Sequence, residues 1–133
     1  MVYQRDAVEA MPAYVQGKSI PNAVKLSSNE NPYPPLASVL EVVREHAASL
    51  GLYPDMSARE LTERIAQRWD VKAEQVAVGA GSVEVAAQLI NASAGEGDEV
   101  MFAWRSFEAY PILVQVAGAT PVPVPLTADD RHD

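Results

Sequence analysis

The chain has 133 residues, about one domain, and 48% of them are hydrophobic, which is enough for a core. Its net charge of −8 argues against non-specific nucleic-acid binding, because such binding needs a positive surface. Without cysteine, a signal peptide or an apolar run of membrane length, we expect a soluble, cytoplasmic protein that has no disulfide, metal, nucleic-acid or membrane partner.

The first 35 residues are predicted to be an irregular arm, because proline interrupts helices and pushes the preceding residue toward extended geometry. Its prolines are Pro12, Pro21, Pro32, Pro34 and Pro35. Apolar residues then recur at helical spacing over residues 36–50, which predicts a helix with Gly51 as its C-cap.

A second helix is predicted to begin after Ser57 and to end near Asp70. Ser57 and Glu60 fit a capping box, in which each side chain bonds the backbone N–H of the other residue. Leu61, Ile65 and Trp69 form its apolar face.

The second half of the chain alternates strands and helices. Residues 76–78 predict a strand, 79–82 a tight turn with Ser82 as the next helix's N-cap, and 100–103 a second strand. A further helix is predicted to end at Gly118, and the proline-rich segment 121–125 to be an edge strand. This order predicts an α/β fold with at least partly parallel strands.

The turn after the first predicted strand is a candidate anion site. The first amides of a helix have no internal partners, and the helix dipole favours negative charge there. Gly79 and Gly81 allow close approach of a phosphate, and Ser82 adds a hydroxyl. An ordinary βα turn with a serine cap explains the same pattern equally well.

Two common phosphate-binding motifs fit this turn poorly. A P-loop requires a lysine after its last glycine, and none follows Gly81. A dinucleotide fingerprint requires a third glycine where Glu84 stands. Arg105, at the end of the next strand, keeps an NADP-binding alternative open.

Five motifs occur in one order along nearly the whole chain: residues 26–33 (LSSNENPY), 52–55 (LYPD), 79–84 (GAGSVE), 97–100 (GDEV) and 106–110 (SFEAY). This arrangement resembles histidinol-phosphate and aromatic amino-acid aminotransferases. These are enzymes of fold type I (aspartate aminotransferase-like) that depend on pyridoxal 5'-phosphate (PLP). Residues 102–107 look most like the actinobacterial aromatic branch.

The resemblance implies an incomplete α/β fold, in which residues 1–50 form the arm and first helix on the substrate side. Residues 51–133 would begin the large PLP-binding domain.

The resemblance also implies roles for single residues. Gly81, Ser82 and Val83 would hold the PLP phosphate. Val83 stands where many relatives have Asp, so it would contribute only its backbone amide. Glu84 is expected to brace the turn rather than face the phosphate. Phe107 would stack on the pyridine ring, although it also fits a core position on one face with Tyr110 and Val114.

Other residues are implied to serve the partner subunit or the substrate. Tyr53 matches a tyrosine that reaches the PLP phosphate of the other subunit, which implies a homodimer. Asn29, Glu30 and Tyr33 match a segment that lines the substrate pocket, and a plain surface turn is the alternative for them.

The lysine that forms the Schiff base with PLP in this family has no counterpart in the chain. Lys18, Lys25 and Lys72 are its only lysines, and none lies in the family's lysine motif. We therefore expect a segment of an aminotransferase, which transfers the amino group between an aromatic amino acid or histidinol phosphate and a 2-oxo acid. The segment alone is expected to be inactive. The alternatives are an NADP- or nucleotide-binding half-domain and a non-catalytic fragment with exposed apolar faces.

Overall fold

The computed structural model describes residues 3–13, 20–24 and 30–132. Contacts divide the chain into two units, one of Met1–Pro12 with Glu60–Asp133 and the other of Ala13–Arg59. The described residues form helices α1 (Asp6–Glu9), α2 (Ala37–His46), α3 (Arg59–Trp69), α4 (Ser82–Ser93) and α5 (Ala109–Ala117), and strands β1 (Glu99–Trp104) and β2 (Thr120–Pro125). Short 3₁₀ helices span Ala47–Ser49 and Ala73–Gln75.

Helix α2, in the unit Ala13–Arg59, confirms the predicted helix but is shorter than predicted. It ends at His46, whose Nδ1 lies 2.9 Å from Val42 O, and the chain continues as a 3₁₀ turn. The prediction that Gly51 is the C-cap is wrong, because the α-helix has ended before that residue. The apolar side chains of α2 are exposed, including Val39 and Val43.

The start of α3 is bonded differently from the predicted capping box. Asp55 accepts hydrogen bonds from the Ser57 hydroxyl at 2.7 Å and from the Arg59 N–H at 3.1 Å. The Glu60 carboxylate pairs instead with Arg64 one turn later, at 3.0 Å. The predicted box was therefore wrong, because the Ser57 N–H that Glu60 was expected to accept donates instead to Asp55 Oδ1 at 3.0 Å.

The sheet consists of β1 and β2, which are parallel, with Glu99 opposite Thr120 and Trp104 opposite Pro125. Thr120 N–H donates to Asp98 O at 2.8 Å and Leu126 N–H to Trp104 O at 3.2 Å. The backbone N–H and C=O groups of successive strand residues point to opposite sides of the strand. Because the N–H groups of Thr120 and Leu126 bond toward β1, the even-numbered residues of β2 direct their backbone groups to β1. The prolines at 121, 123 and 125 lie on the outer edge, where no N–H is needed, which confirms the predicted edge strand.

The core of the unit that holds the sheet is small and lies between α4, α5 and the two strands. Its buried members are Ile90, Val114 and Ala119, with Phe102 among the half-buried residues packed against them. Large apolar side chains outside it are exposed, such as Leu89 and Met101. Exposed apolar faces were expected for the alternative of a non-catalytic fragment, because an open sheet that lacks its remaining strands leaves its core uncovered.

Helix α5 ends as predicted at Gly118, whose φ of 90° is left-handed and favours glycine. Gly118 N–H bonds Gln115 O at 3.0 Å and Ala119 N–H bonds Val114 O at 3.1 Å. The guanidinium of Arg5, just before α1, also donates to Val116 O at this helix end. Helix α1 was not predicted, since its four residues carry no apolar periodicity.

The segment 76–78 is not part of the sheet, although the sequence predicted a strand there. Val76 has extended dihedral angles, φ −114° and ψ 125°. A strand is defined by bonds to a neighbour, and in the part of the chain that the structure describes only β1 and β2 pair.

Candidate functional site

The turn between residue 78 and α4 is built on two glycines. Gly81 has φ 87°, a left-handed value that side chains disfavour, and its N–H donates to Gly79 O at 2.8 Å. Gly81 is therefore the N-cap and Ser82 the first residue of α4, one position later than the sequence predicted for Ser82. The left-handed glycine lets the chain enter the helix without a side-chain cap.

The first amides of α4 point out of the helix without acceptors within it. Val85 N–H is the first that the helix satisfies, through Gly81 O at 3.3 Å. The N–H groups of Ser82 and Val83 precede it and both residues are exposed. Among the described residues other than its two chain neighbours, none has an atom within 4 Å of a Cβ placed on Gly81, so the space at this glycine is open. This arrangement suits a phosphate or another small anion.

Glu84 braces the turn, as the sequence predicted. Its Oε2 accepts a hydrogen bond from the Ala80 N–H, so the carboxylate is turned back toward the loop. Gln88, one helical turn later, donates from Nε2 to Val78 O at 3.3 Å. Gln88 was not among the predicted site residues, although its i, i+4 spacing from Glu84 indicates that the two side chains lie on one face of α4.

The same two side chains lie close to Gly79. A Cβ on Gly79 would lie 3.2 Å from Glu84 Cγ and 3.3 Å from Gln88 Nε2. The two glycines of the turn therefore differ in purpose. Gly79 leaves room for the brace, whereas Gly81 supplies the backbone conformation.

Four aromatic rings follow one another at the end of β1 and the start of α5. Phe107 is 43% exposed and meets Tyr110 in a T-shaped contact, with centroids 5.6 Å apart and planes at 88°. Tyr110 contacts Phe102 at 5.8 Å, and Phe102 contacts Trp104 at 6.2 Å. Phe107 is therefore not a buried core residue, whereas Val114 of α5 is.

Arg105 already has two partners. Its Nη1 lies 2.9 Å from Glu108 Oε1, and its Cζ lies 5.4 Å from the centroid of the Trp104 ring. Both charged side chains are more than 70% exposed, so the ion pair itself is weak. The pair turns Arg105 toward Glu108, and the NADP-binding alternative stays a prediction.

The remaining predicted site residues lie in the unit Ala13–Arg59. Tyr53 is fully exposed and Tyr33 is 79% exposed. Tyr33 N–H donates to Asn31 Oδ1 at 3.0 Å, and Glu30 also lies at the surface. Asn29 lies outside the described residues. The proposed roles of these four residues stay predictions.

The described ranges contain neither a metal-binding cluster nor a membrane-spanning helix. No group of three or more histidine, aspartate or glutamate side chains is placed to hold a metal ion there. None of the helices described has both the length and the apolar character that crossing a bilayer requires.

Comparison with known proteins gives consistent matches. Residues 21–133 match the family model described as aminotransferase class I and II. An aromatic amino acid aminotransferase of Cutibacterium acnes is 60% identical over 131 residues, which cover 98% of this chain and 37% of that protein. A protein of the same description from Streptomyces avermitilis is 53% identical over 133 residues, 97% of this chain and 37% of that protein.

A solved structure shares the fold. The histidinol-phosphate aminotransferase of Sinorhizobium meliloti, in complex with pyridoxal-5'-phosphate, superposes with a TM-score of 0.70 at 24% identity. The alignment covers 77% of this chain and 28% of that one. The chain thus spans little more than a third of the length of the curated relatives that it matches.

Proposed function

Because this chain belongs to the class I and II aminotransferase family, we propose that it forms the N-terminal part of a PLP-dependent aromatic amino acid aminotransferase. Its fold is a partial fold type I α/β domain, as the sequence predicted. The observation that carries the proposal is the turn at 79–84, which presents free helix amides beside an open glycine in a chain 60% identical to an enzyme of that name.

We assign residues 51–133 to the start of the cofactor-binding domain, and residues 1–50 to the arm and first helix on the substrate side. The grouping of the turn and Phe107 within Glu60–Asp133 supports a common cofactor-binding domain for these two features. The division into units has other bounds, since it places Met1–Pro12 with Glu60–Asp133 and residues 51–59 with Ala13–Arg59.

The cofactor phosphate would be held by the Ser82 hydroxyl and by the amides of Ser82 and Val83. Gly81, predicted to share in this contact, would contribute its backbone conformation rather than its amide, because its N–H already donates to Gly79 O at 2.8 Å. Ser82 and Val83 have exposed N–H groups at the positive end of the α4 dipole. The Ala80 amide is already bonded to Glu84, so it is not available to the same anion. The residues present therefore fit a phosphate group.

Phe107 would lie against the flat face of the cofactor ring. It follows β1 directly and is 43% exposed, so part of its face is available. An aromatic face suits a π-system, and the contact would exclude water from one side of the ring. PLP, when bound, supplies the electron sink that amino-group transfer requires.

Substrate and partner contacts are assigned to the first half of the chain. Tyr53 would reach the PLP phosphate of a second subunit in a homodimer, and its complete exposure supports this role. Asn29, Glu30 and Tyr33 would line the substrate pocket, where the amino donor is an aromatic amino acid and the acceptor a 2-oxo acid. Histidinol phosphate is the alternative donor.

The Schiff-base lysine would be contributed by the longer protein. The lysines of this chain are Lys18, Lys25 and Lys72, and none of them follows the 79–84 turn. The 133-residue segment by itself should therefore show no transamination.

An exchange of segments tests the proposal. The 131 matched residues of the Cutibacterium acnes enzyme would be replaced by those of this chain, to give what we call the grafted enzyme. It should transaminate aromatic amino acids and bind PLP. Ser82→Ala should weaken PLP binding about 10-fold, because one hydrogen bond to a charged group is lost. Ser93→Ala, at the other end of α4, should not.

A folded grafted enzyme that neither binds PLP nor transaminates would contradict the proposal. Binding of NADP by the 133-residue chain, in competition with inorganic phosphate, would favour the nucleotide alternative. Transamination by the chain alone would overturn the expectation that the segment is inactive.

A further inference from the structure

We propose that Tyr110 is a positioning residue, which fixes the plane of the Phe107 ring for stacking on the cofactor. This inference rests on the proposed function and extends it to a residue that does not touch the cofactor. The contact that carries it is the perpendicular pair of rings, 5.6 Å apart with planes at 88°.

Phe107 needs a neighbour of this kind because its own backbone gives its ring little restraint. It lies in the connection between β1 and α5, outside both elements, and is 43% exposed. A side chain in such a place can occupy several χ1 wells, and only some of these would present its face to a ligand. The edge-to-face contact with Tyr110 selects one ring orientation.

Tyr110 is suited to this task because it is itself held twice. Its N–H donates to Phe107 O at 3.1 Å, which fixes the two backbones relative to each other. Its ring lies 5.8 Å from that of Phe102, at an angle of 44°. Phe102 in turn packs against the buried cluster of Ile90, Val114 and Ala119. The buried cluster thus restrains the orientation of the Phe107 ring through the rings of Phe102 and Tyr110.

The ring of Tyr110, rather than its hydroxyl, does the positioning in this account. Tyr110→Phe should therefore behave as the unsubstituted protein does. Tyr110→Leu keeps a large apolar side chain but removes the aromatic edge, so Phe107 should sample more orientations. Ile112→Ala, on the same helix and half exposed, is the matched control because it lies outside the row of rings.

The test uses the grafted enzyme and pyridoxamine 5'-phosphate, which has no aldehyde and so does not attach to a lysine. Its dissociation constant and the circular dichroism that it acquires on binding are measured for each variant. We expect Tyr110→Leu to bind it ~2- to 10-fold more weakly, the range for loss of one aromatic pair. The induced circular dichroism should fall as well, because the ligand ring is less firmly oriented.

Competition by inorganic phosphate separates a positioning effect from damage to the fold. Phosphate occupies only the turn at 79–84, so its inhibition constant should be the same in Tyr110→Leu and the unsubstituted enzyme. Equal loss of both ligands, or a Tyr110→Leu variant with unchanged affinity and dichroism, would overturn the inference while leaving the proposed function intact. Absence of pyridoxamine phosphate binding in the unsubstituted grafted enzyme would overturn both.

Discussion

The carboxylate of Glu84 accepts a hydrogen bond from the backbone N–H of Ala80, four residues before it in the chain. An acidic side chain thus lies at the edge of a site that is suited to an anion, and it is turned toward the loop. It uses one amide of the turn and leaves those of Ser82 and Val83 to the ligand. The carboxylate therefore acts on the loop and not on the bound group.

Removal of this bond should weaken phosphate binding without unfolding the chain. Glu84→Leu loses the acceptor for Ala80 N–H, and we expect phosphate or PLP to bind roughly 3- to 10-fold more weakly. Glu84→Gln keeps an acceptor and removes a negative charge, so it should bind at least as tightly as the unsubstituted protein. Calorimetric titration of the grafted enzyme gives both values. Tight binding by Glu84→Leu would show that the brace is dispensable.

Substitution of the two glycines of the turn should affect two different properties, the stability of the fold and the binding of phosphate. Gly81→Ala forces a side chain into a left-handed conformation and should lower the free energy of unfolding by about 1–2 kcal/mol. Gly79→Ala pushes against Glu84 and Gln88, so it should weaken phosphate binding by displacing the brace. Gly95→Ala, with open space and no left-handed φ, is the control and should change neither quantity. Urea unfolding and phosphate titration distinguish the three.

The start of α3 should be sensitive to acid. The Ser57 hydroxyl, followed by the Arg59 and Ser57 amides, lowers the pKa of Asp55 below its ordinary value. The ionised form is therefore favoured in the folded state, and its stabilising effect is present above the ordinary value, about 3.9. It is lost as the pH falls through the lower folded pKa.

Nuclear magnetic resonance of the Asp55 carboxyl and of the Arg59 amide measures this effect. Acidification below about pH 4 should loosen the first turn of α3. Asp55→Asn retains an acceptor that does not titrate, so its first turn should be insensitive to pH. An Asp55 carboxyl that titrates at the ordinary value would contradict the expectation.

The prolines of β2 should keep its outer edge from pairing. Replacement of Pro121, Pro123 and Pro125 by threonine would restore three N–H groups on that edge while β1 and β2 stay paired. We expect self-association, measured by light scattering, because an open edge with free donors recruits further strands. Pro111→Ala, within α5, is the control. A triple variant with unchanged molar mass would show that the prolines do not protect this edge.

The sequence predicted best where one residue type permits one conformation. Gly118 ends α5 because the chain there is left-handed, and the prolines restrict β2 to an edge. The turn at 79–84 was likewise evident, since its glycines and Glu84 are close in sequence. The family motifs added the fold, which local patterns alone did not specify.

The predictions were wrong where the structure depends on which of several hydrogen-bond or strand partners a residue meets in the fold. The Ser57 N–H had a suitable acceptor in either Glu60 or Asp55, and only the folded geometry selects Asp55. Residues 76–78 have the composition of a strand and Val76 has extended dihedral angles, but strand pairing also requires a neighbouring strand. The link from Phe107 to the core through Tyr110 depends on ring angles that spacing does not encode.

The alternation of proline in β2 also determines at which edge the sheet can accept another strand. Because one side of β2 has no N–H groups at three successive outward positions, backbone pairing can continue only beside β1. Any further strand, from this chain or another, would have to join on that side. One edge of the sheet is therefore blocked and the other is available for pairing, and the blocked edge follows from proline at every second position of β2.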